Sequence, residues 1–277
     1  MIEALQQFPA LAVATALVFG LLVGSFLNVV IHRLPARAEQ RSTGSRSACP
    51  HCGTAIPFYD NIPVLSFLLL RGRCRVCSVP ISPQYPCVEL LTGAAFLVCA
   101  LRWHFAPPTF VNSLFLAVII VLIFTDYRHR ILPNVLTLPG AVAGILLSPL
   151  QDIEVYRDIL PVSRALLPWV GSVTGAVAGG GMLLVVGLGY QKLRHRQGLG
   201  MGDVKMMAMV GAFLGWRLTF LAIFAGSFLG LLTGIYLIVF RKQTFQTKLP
   251  FGVFLGIGSA LALFYGIPFL QWYLRGF

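Results

Sequence analysis

FVNSLFLAVIIVLIFTDYRHRILPN, residues 110–134, decides how the rest of the chain is to be read. From Phe110 to Thr125 no side chain is charged, and then Asp126, Arg128, His129 and Arg130 follow almost at once. An uninterrupted apolar run that closes on charge is the pattern of a helix that crosses a bilayer, where every backbone polar group must be satisfied within the helix. Outward from this stretch, further apolar runs lie at 10–31, 87–105, 131–150, 166–190, 204–216, 217–240 and 250–274, which makes about eight candidate spans. Only Gly215, Trp216 and Arg217 separate the sixth from the seventh. The expected fold class is an all-α polytopic membrane protein. Composition points the same way: 57% of the 277 residues are hydrophobic and 11% charged, whereas soluble proteins average about 25% charged. A soluble globular enzyme is excluded on that ground.

The formal charge of +12 would suggest a nucleic-acid partner in a soluble protein, but here its distribution gives it another meaning. If the first span runs outward to inward, the connections 32–86, 126–133, 191–205 and 241–248 share one side. They hold 16 of the 21 Lys and Arg, leaving Arg102, Arg157, Arg164, Arg217 and Arg275 for the other face. Basic connections stay cytosolic, so the first group is expected inside and no nucleic acid is implied. The amino-terminal run carries Glu3, no early Lys or Arg, and more apolar residues than a cleaved signal needs, so the first helix is expected to be retained.

The expected organisation is a first transmembrane helix (1–31), a cytosolic tetracysteine loop (32–86) and a seven-helix membrane domain (87–277). The loop is too long to be a simple connection. It carries CPHC, with Cys49 and Cys52, and CRVC, with Cys74 and Cys77. Two CxxC turns present four thiolates to one tetrahedral zinc, and four thiolates leave no open coordination position, so the metal is expected to be structural. A pair of disulfides or redox-active pairs is the alternative, disfavoured by a reducing cytosol. His51 is expected to be a bystander, and Cys87 and Cys99 small core hydrophobes.

A carboxylate at membrane depth is costly, and three qualify: Glu89, Asp126 and Asp203. Asp126 closes its span beside Arg128 and Arg130, and is equally well read as an interfacial partner for them. Asp203 sits in QGLGMGDVKMM, after glycines at 198, 200 and 202, where a plain N-cap for a helix starting at Val204 is the bland reading. Both aspartates fall at inner ends of spans, at similar depth. Two carboxyls in contact cannot both ionise cheaply, so one keeps a proton while the other takes one from water, the chemistry of aspartic peptide hydrolysis. No GxSxG or HExxH competes. Ser25, Asn28 and His32 form a polar stripe on the first span, equally suited to helix packing and to a site. Glu89 and Gly93 are four apart near the inner end of the second span.

Taken together, GSFLNVVIHRLP, CPHC, DNIPVLS, RGRCRVC, ISPQYPCVELLTG, TDYRHRILPN, GLGMGDVK and LPFG resemble the type 4 prepilin peptidases, bifunctional enzymes of pilus assembly and type II secretion. The resemblance implies a catalytic pair at Asp126 and Asp203 and the four cysteines as the zinc ligands. It implies that prepilins or pseudopilins lose a basic leader on the cytosolic side of a bacterial inner membrane. The new amino terminus is then N-methylated with S-adenosylmethionine, for which Glu89 and Gly93 are the candidate site. The sequence departs from that family at Val253, where proline usually follows PFG, at Met201 and at Leu132. Two other readings use the same residues: a proton-coupled transporter running protons along the carboxylates, and a zinc-loop scaffold for a secretion complex.

Overall fold

A computed structural model describes residues 9–38, 48–49, 51–156, 163–194, 198–241 and 249–275. Glu3, Arg157 and parts of the basic connections 32–86, 191–205 and 241–248 lie outside these residues. Among the described residues there is no strand, only two isolated bridges. Eight helices follow in order: α1 (Pro9–Ala38), the short α2 (Leu65–Leu69), α3 (Gln84–Trp103), α4 (Pro107–His129), α5 (Asn134–Leu147), α6 (Leu167–Arg194), α7 (Met201–Arg241) and α8 (Phe251–Arg275). Six of them, α1, α3, α4, α6, α7 and α8, are long and apolar enough to cross a membrane, which makes this a multi-pass membrane protein.

The apolar runs thus all fold as helix, with two adjustments. The run 131–150 yields only Asn134–Leu147, because Pro133 precedes the helix in extended backbone and the chain tightens into a 3-10 turn at Ser148–Leu150. The runs 204–216 and 217–240 are joined in α7, whose 41 residues would span about 60 Å if straight, twice a bilayer's apolar thickness. Gly215 breaks it, at φ 66 and ψ 170.

Two compact units divide the chain, Met1–Val121 and Leu122–Phe277. In the first, α1 packs on α3 through small residues. A Cβ at Gly20 would lie 2.8 Å from Gly93 Cα, and one at Gly24 2.7 Å from Glu89 Cα, so only glycine allows this approach. Cys99 is buried as expected; Cys87 is exposed, because it sits in the first turn of α3 with the helix's packed face elsewhere.

In the second unit α6 and α7 meet at Gly175 and Gly211, where a Cβ on either would run into the other's backbone carbonyl. The break at Gly215 is stabilised by a neighbouring 3-10 turn, Ile153–Tyr156. Tyr156 is buried, its hydroxyl 3.0 Å from the carbonyl oxygens of both Ala212 and Phe213, and Ser172 Oγ donates to Ala212 O at 2.7 Å. Carbonyls loosened by a broken helix are tolerated at membrane depth only when such side chains satisfy them.

Candidate active site and candidate metal centre

The tetracysteine loop is built from one turn used twice. In the first, Cys49 N–H donates to Thr54 O (2.9 Å) and Gly53 N–H to Cys49 O (2.9 Å), beside the bridge Ala48–Ala55. In the second, Cys74 N–H donates to Val79 O (2.9 Å) and Ser78 N–H to Cys74 O (3.0 Å), beside the bridge Arg73–Pro80. Gly53 and Ser78, each just after the second cysteine of its pair, both take positive φ (71 and 56).

The four sulfurs of Cys49, Cys52, Cys74 and Cys77 lie within 4.8 Å of one another, and Cys49 Sγ is 3.7 Å from Cys77 Sγ. Tetrahedral ligands at a Zn–S distance of about 2.3 Å would stand about 3.8 Å apart, so the cage fits a metal ion of that kind. Hydrogen bonds from the Thr54 side chain and backbone pull the Cys52 thiol down to about 6. Backbone N–H groups of Cys77 and Val76 hold Cys74 below its ordinary value. Both effects favour the thiolate a metal needs, whereas Cys77, despite its backbone bond at Val79, is pushed up to about 12 by burial and the three neighbouring sulfurs. His51 is not among these ligands.

Arg75, inside CRVC, ties the second turn to the 3-10 turn Phe58–Asn61. Its Nε donates to Asp60 Oδ2 at 2.7 Å and its Nη2 to Oδ1 at 2.6 Å, holding the Asp60 carboxyl below the usual range. The same guanidinium lies over the Tyr59 ring, 5.7 Å from its centre. Sequence reasoning passed over this pair, although an arginine between two ligand cysteines and a single nearby aspartate was its signal.

Glu89 is buried in α3. Its Oε2 accepts the Val64 N–H at 2.7 Å, and the Ser25 hydroxyl also bonds it. Val64 stands at φ 60, a conformation a β-branched residue rarely adopts without support. The stripe on α1 therefore splits. Ser25 and Asn28 face α3, with Asn28 Nδ2 donating to Tyr85 O at 3.0 Å, while His32 is exposed. Gly93 is filled by packing: a Cβ there would lie 3.0 Å from Leu21 Cδ2.

Asp126 and Asp203 both lie in the second unit and both are buried. Asp126 occupies the last turn of α4. Arg130, at φ 54, closes that helix with its N–H on Asp126 O (2.8 Å), and its charge reaches the Asp126 carboxylate. Asp203 lies within the first turn of α7, which begins at Met201, so it is inside the helix and not its cap. The Asp126 charge acts directly on Asp203.

Two more helix ends, the starts of α5 and α8, meet there. A Cβ at Gly202 would lie 2.9 Å from Leu132 Cβ, and one at Gly252 2.9 Å from Asp126 Oδ2 and 3.1 Å from Leu132 Cδ1. Val253 N–H, in the first turn of α8, donates to Asp126 Oδ2 at 3.2 Å. Lys205 Nζ donates to Asn134 Oδ1 at 2.9 Å, linking the first turns of α7 and α5. Two buried carboxyls within each other's field can hold one proton between them and act on a water molecule. The backbone donors of α8 escaped sequence reasoning because nothing in LPFGV titrates; Pro250 just before an apolar run was the signal for a helix start beside the site.

Comparison with known proteins gives matches along nearly the whole length. Residues 18–103 match the bacterial peptidase A24 N-terminal domain and residues 113–235 the type IV leader peptidase family. Three similar proteins each carry the name prepilin leader peptidase/N-methyltransferase. That of Aeromonas hydrophila is 36% identical, covering 100% of this chain and 99% of its own. That of Burkholderia pseudomallei (strain 1026b) is 35% identical over 92% and 86%. That of Myxococcus xanthus (strain DK1622) is 39% identical over 80% and 62%. No solved structure is a significant match.

Proposed function

The chain belongs to the type IV leader peptidase family, and on that premise we propose that it cleaves the leader peptide of type 4 prepilins or type II secretion pseudopilins at the cytosolic face of a bacterial inner membrane, then N-methylates the new amino terminus. The observation that carries the reading is the burial of Asp126 and Asp203 at helix ends that abut through Leu132, with the Asp126 charge acting on Asp203. One carboxylate takes a proton from a water molecule, whose oxygen attacks the scissile carbonyl carbon. The other carboxyl donates its proton as the tetrahedral centre collapses, the C–N bond breaks and the amine leaves. The Val253 N–H and the field of Arg130 orient Asp126 for this work.

In this reading residues 1–31 are a first spanning helix, 32–86 a cytosolic loop organised by a structural zinc on Cys49, Cys52, Cys74 and Cys77, and 87–277 the membrane domain carrying the peptidase site, of seven helices when α7 is counted as two at its Gly215 break. The sulfur cage supports zinc as the ion. Bound S-adenosylmethionine would supply an electrophilic methyl group. Glu89 and Gly93 fit it poorly as its site, since Glu89 is engaged by Val64 and Ser25 and Gly93 by α1, so no step of methyl transfer is assigned to them.

The protein acts on a membrane-embedded pilin helix, and the pilus or type II secretion machinery receives the product. Incubation with a candidate prepilin, with and without S-adenosylmethionine, followed by mass measurement, tests the whole reading. The expected products are a mature pilin lacking its leader and, with the cofactor, the same species heavier by one CH2, a methyl group in place of one amine hydrogen. An unchanged substrate mass with folded enzyme would overturn the peptidase and leave the transporter or scaffold reading.

A further inference from the structure

The short helix α2 turns an apolar face outward that nothing among the described residues of its own unit covers. Leu65, Leu68 and Leu69 stand at i, i+3 and i+4 and so share one side, with exposures of 48%, 64% and 73%. The opposite side is fixed, since Ser66 is buried with its hydroxyl donating to Tyr59 O at 3.0 Å and accepting from Ile62 N–H at 3.0 Å.

The depth of this helix follows from its tether. Val64, directly before α2, is bonded to Glu89, the sixth residue of α3. The 20 residues of α3 rise about 30 Å, the thickness of a bilayer's hydrocarbon, so Glu89 stands about 7 Å inside that layer. A helical side chain leans toward its own amino terminus, which aims the carboxylate back at the boundary. The leucines are thereby held near the junction of headgroups and acyl chains.

The charges that follow suit the same place. FLLLRGR, residues 67–73, passes straight from leucines to Arg71 and Arg73, both exposed. Asp60 is the sole carboxylate among the described residues 48–83, and Arg75 holds it. Leucines at the acyl boundary flanked by arginines at headgroup level are the pattern of an interfacial element on anionic lipid. The arginines would repel a basic peptide.

We propose that α2 lies in the interface of the bilayer that holds the spans, with Leu65, Leu68 and Leu69 against acyl chains and Arg71 and Arg73 on anionic headgroups. The test uses the full-length protein in vesicles of phosphatidylcholine and phosphatidylglycerol, comparing Leu69→Trp with the parent to subtract the native tryptophans. The added emission should be blue-shifted and should mostly disappear when the phosphatidylcholine is brominated near the headgroup end of its acyl chains. Adding Arg71→Gln and Arg73→Gln should weaken that loss in anionic vesicles and leave it unchanged in phosphatidylcholine alone. Leu68→Trp on the same face should repeat the result and serves if Leu69→Trp does not fold. Water-like emission would overturn the proposal. So would blue-shifted emission that bromine does not quench, which would mean that protein, such as a second copy, covers the face.

Discussion

The tetracysteine loop and the aspartate cluster are organised in opposite ways. In the loop, each ligand pair is made by a turn closed within a few residues of its own cysteines, and the two turns repeat one geometry. The aspartate cluster has no local element of its own. It exists where the end of α4 and the beginnings of α5, α7 and α8 abut, with Leu132 between Gly202 and Gly252. A cage of local turns depends on its ion; a cluster of helix ends depends on how closely backbones approach. The first should fail by losing metal and the second by small steric changes.

The largest effect expected is on chemistry. Asp126→Asn and Asp203→Asn should each lower prepilin cleavage on the order of 10³-fold or more, measured by product mass, while metal content stays that of the parent. Metal loss in either variant would break the contrast between the regions. Cys49→Ser with Cys74→Ser should take bound zinc from about one per chain to near none, read by elemental analysis, and open the loop to protease. If the doubly substituted protein kept its ion, the ligand set would be wrong.

A subtler change should hit the helix-end cluster hard. Gly252→Ala places a methyl group 2.9 Å from Asp126 Oδ2 and should lower kcat on the order of 10²-fold, as displaced catalytic groups do, with KM little changed. The smallest effect belongs to Val253→Pro, which removes the N–H donated to Asp126 and places there the proline that the resemblance implies. A loss below about tenfold is expected, the scale of one hydrogen bond; no change at all would mean that the Gly252 backbone, which also bonds the Asp126 carboxylate, suffices.

The same contrast explains what the sequence made legible. Apolar runs locate helices because a bilayer demands length and hydropathy, and the weak junction at Gly215–Arg217 did mark a real break. The exact bounds of α5 were not legible, since Pro133 holds the chain extended before its start and a 3-10 turn containing Pro149 follows its last residue, local backbone limits inside an otherwise apolar run. Paired cysteines announce their turns because ligand spacing is a local property. Asp126 and Asp203 were visible as costly charges, but their neighbours Gly252 and Val253 contribute backbone only, and backbone leaves little trace in composition. Glu89 was visible for the same reason as the aspartates, yet its partner, the Val64 amide, could be found only in three dimensions.

The doubled turn also bears on biosynthesis. Because the cage takes two sulfurs from each turn, the first cannot complete a coordination sphere by itself. Cys77 leaves the ribosome only shortly before Gln84, where the second long helix begins. The cage is therefore complete only once Cys77 has emerged, so the earliest moment at which it could take an ion falls between the emergence of two consecutive long helices.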